Sequence, residues 1–422
     1  MIVNKLNSLK KNFKIKIPEK NFLYFVEPHN PKVNDYGKNI FKILQNPIST
    51  EPLSKKIKVG MKIAVLVDDL TRPTPQKKLL TPILEELNKI GIKDSDITII
   101  IALGTHRYME ENEIIKRFGK KIFNKVNIIN HEWKDKNIFI KLGYTKNNTP
   151  VIINKKVSEA DFIIGIGIIA THDLAGWSGG CKIIQPGICS WETTQATHLL
   201  ACRGDIIGNL GNVENDVRKE IENVGKKVGL NFILNVVLDR KNNIVKAVCG
   251  DPIKAHREGV KYAKPIYERN IPELADIVIT NAYPADLDYW QGIKPLLLAQ
   301  KGIKENGTII LLGDFPEGIS LTHPYLKKYG NRTYEDIKKL YGNGKIKDGT
   351  CAAALMAHTR CIKRTSVICI SDGLSKEDKS SLNFIDADTI EEALKIAFIQ
   401  QGKNAKIGII EYGGDVIPVL NN

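Results

Sequence analysis

The sequence predicts an α/β protein of two domains, each built on a mainly parallel sheet. Three observations lead to this prediction. Short continuous apolar runs alternate with segments of helical periodicity along most of the chain. The length of 422 residues exceeds that of one ordinary domain. A composition of 42% hydrophobic and 26% charged residues is that of a globular protein, and it excludes disordered, collagen-like and coiled-coil chains.

The first half of the chain contains three apolar runs typical of buried strands, each followed by a loop. These strands are predicted at residues 63–67, 97–103 and 162–167. Helical periodicity predicts helices at 76–90 and 110–118 between them. Since ligands bind at the carboxyl ends of parallel strands, the three loops are the expected place for a site.

The predicted domain boundary lies at residue 270, which gives domains of residues 1–270 and 271–422. Residues 232–248 resemble a hairpin, and a polar helix over 252–270 closes the first domain. The second domain repeats the α/β pattern, with strands predicted at 277–280, 308–312, 366–370 and 406–411 and a helix at 391–401.

Charge and cysteine content predict a soluble cytoplasmic protein that binds neither membranes nor nucleic acid. The formal net charge is +15, but the lysines are scattered and only residues 10–16 are locally dense. A nucleic-acid-binding protein would concentrate this charge on one face, whereas scattered lysines indicate a solvated surface that helps to attract small anions. Seven cysteines without metal-ligand spacing favour a reducing compartment. The N-terminus lacks the apolar core of a signal peptide, and no apolar run reaches about 18 residues.

The first two loops carry side chains suited to binding and catalysis: carboxylates and an arginine in the first loop, and a histidine in the second. The loop after the first strand carries Asp68, Asp69 and Arg72, and an arginine in this position suits capture of a carboxylate or phosphate. Alternatively, it is a helix N-terminus with an internal Asp–Arg pair. The loop after the second strand carries His106, where an imidazole is useful as an acid or base but is as often structural.

The third loop, residues 171–187, is the most specific of the three because glycines surround a histidine and a lysine. Its glycines allow backbone amides to approach a ligand closely, but it matches neither the P-loop nor the G-x-G-x-x-G pattern. Lys182 in this loop could be a point charge, a Schiff-base amine or a covalent tether. His198 follows on a helix predicted at 192–200.

Together these loops resemble the lactate racemase family, whose members use a nickel-pincer nucleotide. The similar motifs, in chain order, are Asp69-Leu70-Thr71-Arg72-Pro73, Gly104-Thr105-His106, His172, Gly176-Trp177-Ser178-Gly179-Gly180-Cys181-Lys182, Pro186-Gly187, His198, Tyr283-Pro284, Gln291-Gly292-Ile293-Lys294 and Gly413-Gly414-Asp415-Val416-Ile417-Pro418. The resemblance therefore extends over almost the whole chain.

The resemblance implies two α/β domains with the active site in the cleft between them. It implies a cofactor, pyridinium-3,5-bisthiocarboxylic acid mononucleotide, which holds nickel through two sulfur arms and a ring carbon. Lys182 would be joined to one arm and so contact the metal through the tethered cofactor, and His198 would be the protein ligand of nickel. His106 and His172 would be the acid–base groups. The residues that would contact the cofactor are Asp69, Leu70, Thr71, Arg72, Lys182, Gln291 and Lys294.

The implied reaction is racemisation or epimerisation of a small 2-hydroxy acid by reversible hydride transfer, through a 2-oxo acid. Arg72 and Lys294 would hold the substrate carboxylate. Proteins that synthesise the cofactor would be transient partners. Two alternatives stay open: another hydride-shuttle reaction with the same cofactor, and a non-catalytic homologue that binds or delivers it.

The sequence departs from the family pattern at three places. Cys181 replaces a small residue beside the tethering lysine, where a thiol could touch the cofactor or only fill space. Trp290 replaces an expected tyrosine, and the small residues of 348–354 stand where a tryptophan should close over lactate. The predicted substrate is therefore a 2-hydroxy acid larger or more polar than lactate. Trp177 could line the site or pack, and a structural role is expected for the remaining histidines and for three cysteines: His29, His131, His256, His323, His358, Cys189, Cys202 and Cys249.

Overall fold

The computed structural model describes residues 2–7, 12–31 and 39–421. Lys10 and Lys11 of the lysine-dense segment lie outside the described residues. The helices are α1 (Ile40–Leu44), α2 (Leu53–Lys56), α3 (Gln76–Ile90), α4 (Glu111–Phe118), α5 (Lys120–Phe123), α6 (Lys155–Ser158), α7 (Trp191–Ala201), α8 (Asp216–Val228), α9 (Lys254–Tyr267), α10 (Tyr289–Ala299), α11 (Tyr325–Tyr329), α12 (Tyr334–Gly342), α13 (Gly349–Arg364), α14 (Lys376–Ser381) and α15 (Ile390–Gln401).

The strands form two six-stranded sheets and four two-stranded ones. They are β1 (Ile2–Asn7), β2 (Asn12–Ile17), β3 (Phe22–Val26), β4 (Ile63–Val67), β5 (Ile97–Ile101), β6 (Asn127–Asn130), β7 (Phe139–Tyr144), β8 (Pro150–Asn154), β9 (Phe162–Ile168), β10 (Thr171–His172), β11 (Gly176–Trp177), β12 (Phe232–Leu238), β13 (Ile244–Gly250), β14 (Glu268–Ile271), β15 (Ala275–Asn281), β16 (Ile303–Leu312), β17 (Ser366–Ile370), β18 (Ile385–Asp386), β19 (Ile407–Ile410) and β20 (Ile417–Leu420).

The first large sheet has the order β13-β12-β9-β4-β5-β6, and every pairing in it is parallel except the β12–β13 hairpin. Its central strands are buried on both faces, which is why they appear in the sequence as continuous apolar runs. The sheet thus confirms the predicted α/β class.

The second large sheet has the order β18-β17-β16-β15-β19-β3 and is parallel throughout. Its last strand, β3, comes from the beginning of the chain and pairs with β19. Leu6, Phe13 and Ile17 of the preceding hairpin pack into the apolar cluster of this same sheet. The chain therefore begins on the second sheet before it builds the first.

Several predicted elements agree with the structure, and three have wrong bounds. The strand predicted at 97–103 ends at Ile101, and the strand predicted at 308–312 begins at Ile303. The strand at 63–67 and the helix at 76–90 have the bounds of β4 and α3. The helix predicted over 252–270 ends at Tyr267, because residues 268–271 form β14 and pair with β20. In the described part of the chain, no helix combines the length and apolarity needed to cross a membrane.

Candidate functional site

The loops that follow β4, β5 and β9 lie at one edge of the first sheet. Strand β4 lies between β9 and β5 and is parallel to both, so the three carboxyl ends face the same way. The backbone N–H of Gly104 donates to the carbonyl of Gly187 at 2.9 Å and ties the second loop to the third. The topology therefore brings together the loops that the sequence singles out.

Asp68 holds the first loop in place through hydrogen bonds and an ion pair of its carboxylate. Its carboxylate pairs with Arg117 at 2.8 Å, accepts the Gln76 amide at 2.7 Å, and accepts the hydroxyl of Thr74. Burial raises the pKa of Asp68, although Arg117 opposes this shift. The sequence offers no local sign of the Arg117 contact, because the two residues lie on different elements.

Asp69 contacts the predicted catalytic histidine of the second loop. Its Oδ2 lies 2.7 Å from Nδ1 of His106, and its Oδ1 accepts the hydroxyl and backbone N–H of Thr71 at 2.5 and 3.1 Å. Burial alone would raise the pKa of Asp69, but His106 and Thr71 together hold it well below its usual range. Asp69 is therefore an anionic partner that orients the imidazole, while neighbouring Leu70 is exposed.

His172 has a carboxylate partner of the same kind in the residue that follows it. Oδ1 of Asp173 lies 2.9 Å from Nδ1 of His172 and accepts the backbone N–H of Leu174 at 3.0 Å. The backbone nitrogens of Leu174 and Ala175 also lie 3.1 and 3.3 Å from that Nδ1. Burial lowers the pKa of His172 to about 3, and the Lys182 ammonium acts in the same direction. The ring is therefore neutral at pH 7.

The glycine-rich loop needs its glycines because protein atoms crowd its backbone. Gly179 and Gly180 have φ angles of 80° and 59°, and a Cβ on Gly179 would lie 2.9 Å from Oδ1 of Asn235. Arg218, fully buried on α8, donates to the carbonyls of Trp177 and Gly179. Arg218 thus supports the loop from a position that short motifs do not reveal.

Lys182 follows these glycines in a 3-10 turn, Gly180–Ile183. Burial lowers the pKa of Lys182 to about 7, and the charges of Arg218 and Arg72 add to this effect. Its Nζ has no hydrogen-bond or ion-pair partner among the described residues. An unpaired amine with a pKa near neutrality is nucleophilic at physiological pH.

His198 lies on α7, with its Nδ1 2.8 Å from the carbonyl of Thr194. This contact fixes the proton on Nδ1 and leaves Nε2 with a free lone pair, which is how metal-binding histidines are usually held. Burial lowers the pKa of His198, so the ring is neutral and available to a metal.

His172, Lys182 and His198 line one small cavity, together with Pro186 and Thr197. The structure therefore brings the proposed tether, the proposed metal ligand and one proposed acid–base histidine to a single place.

Lys294 on α10 adds a cation from the second half of the chain. Its Nζ lies 3.4 Å from Oδ1 of Asp415, and burial lowers its pKa, with Arg72 acting in the same direction and Asp173 against it. Residues from both halves thus interact electrostatically around one site. Gln291 lies one turn before Lys294, where its backbone N–H donates to the N-capping carboxylate of Asp288 at 2.9 Å.

Cys181 and Trp177, for which the sequence left two roles open, both pack. The Cys181 thiol is buried against α8, where a Cβ on Gly225 would lie 2.7 Å from its sulfur. Burial raises the pKa of this thiol to about 12. Trp177 is fully buried, and its indole N–H donates to the carbonyl of Gly211 at 2.8 Å.

Three of the five remaining histidines have buried structural contacts. Nε2 of His131 bonds the carbonyl of Cys189 at 3.0 Å, Nε2 of His256 bonds the carbonyl of Ser178 at 2.8 Å, and Nδ1 of His358 bonds the hydroxyl of Tyr289 at 2.7 Å. His29 is exposed. The fifth, His323, stacks on Trp290 at 3.7 Å between ring centroids.

The segment of small residues at 348–354 forms the start of α13, which packs on α7. Asp348 is the N-cap and accepts the N–H of Cys351 at 2.9 Å. A Cβ on Gly349 would lie 2.7 Å from Oε1 of Gln195 on α7. Small residues at this point therefore allow close approach to the helix that carries His198.

The amino-acid sequence agrees with known proteins over most of its length. The family model of the lactate racemase N-terminal domain matches residues 9–206, and that of the lactate racemase C-terminal domain matches residues 271–418. The chain is 30% identical over 391 residues to the lactate racemase of Lactiplantibacillus plantarum, and the match covers 89% of each chain. The chain belongs to the lactate racemase family. It is also 30% identical to the lactate racemase of Thermoanaerobacterium thermosaccharolyticum, over 92% of this chain and 91% of that one.

Solved structures agree with this family assignment. The lactate racemase apoprotein from Thermoanaerobacterium thermosaccharolyticum superimposes with a TM-score of 0.90 at 27% identity, over the full length of both chains. A protein from Thermotoga maritima shares the fold with a TM-score of 0.72 at 18% identity, covering 94% of this chain and 100% of its own. The two-domain α/β fold of the lactate racemase family therefore extends through this chain.

Proposed function

We propose that this protein is a racemase or epimerase of 2-hydroxy carboxylic acids that acts by reversible hydride transfer with a nickel-pincer nucleotide. The observation that carries the proposal is the group around Lys182. Two histidines with carboxylate partners, an amine of lowered pKa and a third histidine with a free Nε2 occur on adjoining loops and α7.

The residues present fit a tethered nickel cofactor. The unpaired Lys182 amine, with its pKa of about 7, suits amide-type bond formation with a carboxyl-derived arm. The free Nε2 of His198 suits a metal that accepts imidazole beside soft sulfur donors. Asp69, Thr71, Arg72, Gln291 and Lys294 are the further residues that we assign to the cofactor or substrate, with Asp69 acting through His106, and Leu70 stays in this set as a prediction.

The chemistry of a 2-hydroxy acid explains why two histidines are needed. The hydrogen on C2 is only weakly acidic beside a carboxylate, so its removal with both bonding electrons, as a hydride, avoids a carbanion. When bound, the nickel-pincer nucleotide supplies the group that takes up a hydride and returns it. The protein must then remove the hydroxyl proton, and the two enantiomers present that hydroxyl on different sides.

His106 and His172 are the proposed groups that take and return this proton at Nε2. Asp69 stands beside Nδ1 of His106, where a carboxylate fixes the tautomer and stabilises the imidazolium that forms. Asp173 stands beside Nδ1 of His172, where its charge stabilises the imidazolium in the same way. Nε2 of each ring makes no hydrogen bond within the described ranges, so it is available to the substrate.

The substrate carboxylate is assigned to Arg72 and Lys294. Both carry positive charge into a partly buried region, where a carboxylate is held more strongly than in water. We place the substrate between the two halves of the chain, since Arg72 comes from the first and Lys294 from the second. The proteins that synthesise the cofactor are the proposed transient partners, and the cytoplasm is the proposed compartment.

A screen of enantiopure 2-hydroxy acids with cofactor-loaded protein tests the proposal. Chiral chromatography should show each accepted enantiomer converted to the other, or to its C2 epimer. The His106→Ala/His172→Ala double variant, loaded in the same way, is the control and should be inactive. Cofactor-loaded protein that interconverts no 2-hydroxy acid would leave a different hydride-shuttle reaction or a non-catalytic role.

A further inference from the structure

A third histidine–aspartate pair lies in the second half of the chain, outside the motifs shared with the lactate racemase family. Nδ1 of His323 is 2.7 Å from Oδ2 of Asp348, and His323 is only 6% exposed. Its Nε2 makes no hydrogen bond within the described part of the chain. The pair therefore holds one ring nitrogen and leaves the other for a ligand.

Aromatic contacts connect this pair to the proposed active site. The His323 ring stacks on Trp290, with an angle of 14° between the planes, and lies 6.3 Å from the nearly parallel ring of Trp191 at the start of α7. Trp191 stacks in turn on Trp133, whose indole N–H donates to the carbonyl of His106 at 2.8 Å. His323 is thus linked through two indoles to an acid–base histidine.

Helix packing gives a second connection. Asp348 caps α13, and the next residue, Gly349, lies against α7, the helix that carries His198. Asp348 is close enough to His198 to influence its pKa. Asp348 therefore directly precedes the small residues that stand where the resemblance implies a tryptophan closing over lactate.

A metal ion is a weaker explanation of this group. Cys351 completes a set of three ligand atoms within 4.8 Å of one another. However, the 2.7 Å between Nδ1 and Oδ2 is a hydrogen-bond distance, whereas two ligands on one tetrahedral zinc are roughly 3.3 Å apart. The N-terminus of α13 also disfavours a cation at this point.

The charges around His323 select the kind of ligand. Asp348 bonds it, Asp288 interacts with it electrostatically, and Glu317 interacts with Asp288. Beside His323 opens a cavity of about 420 Å³ whose lining includes Lys327, which is paired with Asp378 at 2.8 Å, and Lys328. The carboxylates of Asp348, Asp288 and Glu317 on the His323 side disfavour a second carboxylate on the substrate at this ring and favour a hydrogen-bond donor without negative charge.

We propose that Nε2 of His323 accepts a hydrogen bond from a hydroxyl group on the side chain of the substrate. The preferred substrate is then a polyhydroxy monocarboxylate, and His323 is the residue that selects it. With Asp348 accepting the Nδ1 proton, Nε2 is the ring nitrogen that carries the lone pair. This inference rests on the proposed racemase function.

The test compares substrates that differ by one group. Glycerate and 2-hydroxybutanoate differ only in a hydroxyl in place of a methyl, 2,3,4-trihydroxybutanoate extends the hydroxylated chain, and malate adds a carboxylate. We expect kcat/KM of the cofactor-loaded enzyme for the better hydroxylated acid to exceed that for 2-hydroxybutanoate at least about tenfold. Calorimetric titration should show the same preference in Kd.

His323→Phe keeps a ring against Trp290 but removes both nitrogens. In this variant the ratio of kcat/KM for the hydroxylated acid to that for 2-hydroxybutanoate should fall to about one. The turnover of 2-hydroxybutanoate should stay within about threefold of the wild-type rate. His323→Gln, whose amide oxygen can accept the same hydrogen bond, should keep most of the preference and serves if the Phe variant does not fold. His29→Phe, the same change at an exposed site, should alter nothing.

Two results overturn the inference alone, because 2-hydroxybutanoate is still racemised: an unchanged preference in His323→Phe, or a preference for malate in the wild type. If the loaded enzyme interconverts no 2-hydroxy acid at all, the proposed function fails and the inference fails with it.

Discussion

Replacement of Lys182 by methionine should stabilise the cofactor-free protein. The pKa of Lys182 is about 7 in the folded chain, against 10.5 for an ordinary lysine. The Lys182 amine therefore binds its proton less tightly in the folded state than in the unfolded state. At pH 7 this difference destabilises the fold by roughly 4 kcal/mol, at about 1.4 kcal/mol per pKa unit. Lys182→Met removes that penalty and keeps a side chain of similar length.

The pH dependence gives this prediction a specific signature. The cost of Lys182 is fully present below its folded pKa and disappears as pH rises toward 10.5, because the amine is then neutral in both states. The stability advantage of Lys182→Met should therefore shrink as pH rises from 7 to 9. Urea unfolding of the cofactor-free proteins at several pH values measures it. Lys58→Met, at an exposed lysine, is the control and should show no such trend.

The same variant should change the neighbouring histidine. After burial, the Lys182 ammonium is the largest cause of the low His172 pKa of about 3, so its removal should raise that pKa. NMR titration of labelled histidines would follow the shift. A Lys182→Met protein less stable than wild type at pH 7, with no change in the His172 titration, would refute the view that Lys182 is a buried, destabilising amine.

Three further outcomes follow from the contacts of the site. His198→Ala should lose nickel from loaded protein while His106→Ala keeps nickel and loses turnover, and equal loss by elemental analysis would contradict this division. Gly225→Ala should destabilise the fold by about 1–3 kcal/mol, because its Cβ would lie 2.7 Å from the Cys181 sulfur. Adding Cys181→Ala should restore only part of that stability in chemical unfolding and leave nickel content unchanged, because the sulfur is removed while the Cβ of residue 181 stays 2.7 Å away; strictly additive effects would show that the thiol does not fill that space. Asp173→Asn should lower kcat at least about tenfold at full nickel content, since the preceding histidine loses its carboxylate partner; an unchanged kcat would mean that this carboxylate does not assist the ring.

The fold was predictable where local pattern and tertiary position agree. Strands β4 and β9 are buried on both faces, so their sequences are continuous apolar runs bounded by polar loops. Strand β14 was not predictable, because its residues Glu268, Arg269 and Asn270 continue the polar character of α9. What makes them a strand is the pairing with β20, almost 150 residues away. The pairing of β3, near the beginning of the chain, with β19 depends in the same way on a distant partner.

The site followed the same rule. His106, His172 and Lys182 lie in loops whose composition is unusual, and the motifs that resemble the family mark them. Arg218 gave no such signal, since it lies in the first turn of an amphipathic helix and its role comes from burial beneath the glycine-rich loop. The partnership of Asp348 with His323 was equally hidden, because 25 residues separate them and neither belongs to a shared motif.

The three histidine–aspartate pairs suggest how selectivity can change while the chemistry is kept. The pairs His106–Asp69 and His172–Asp173 rest on loops of the first sheet, which the family motifs specify. The third pair comes from the second half, at the start of α13, where this sequence departs from the family. Its contacts to the first half run through stacked rings and small residues, not through the acid–base carboxylates. Substitutions at α13 can therefore alter which side chain the substrate carries without disturbing the carboxylate partners of the two proposed acid–base histidines.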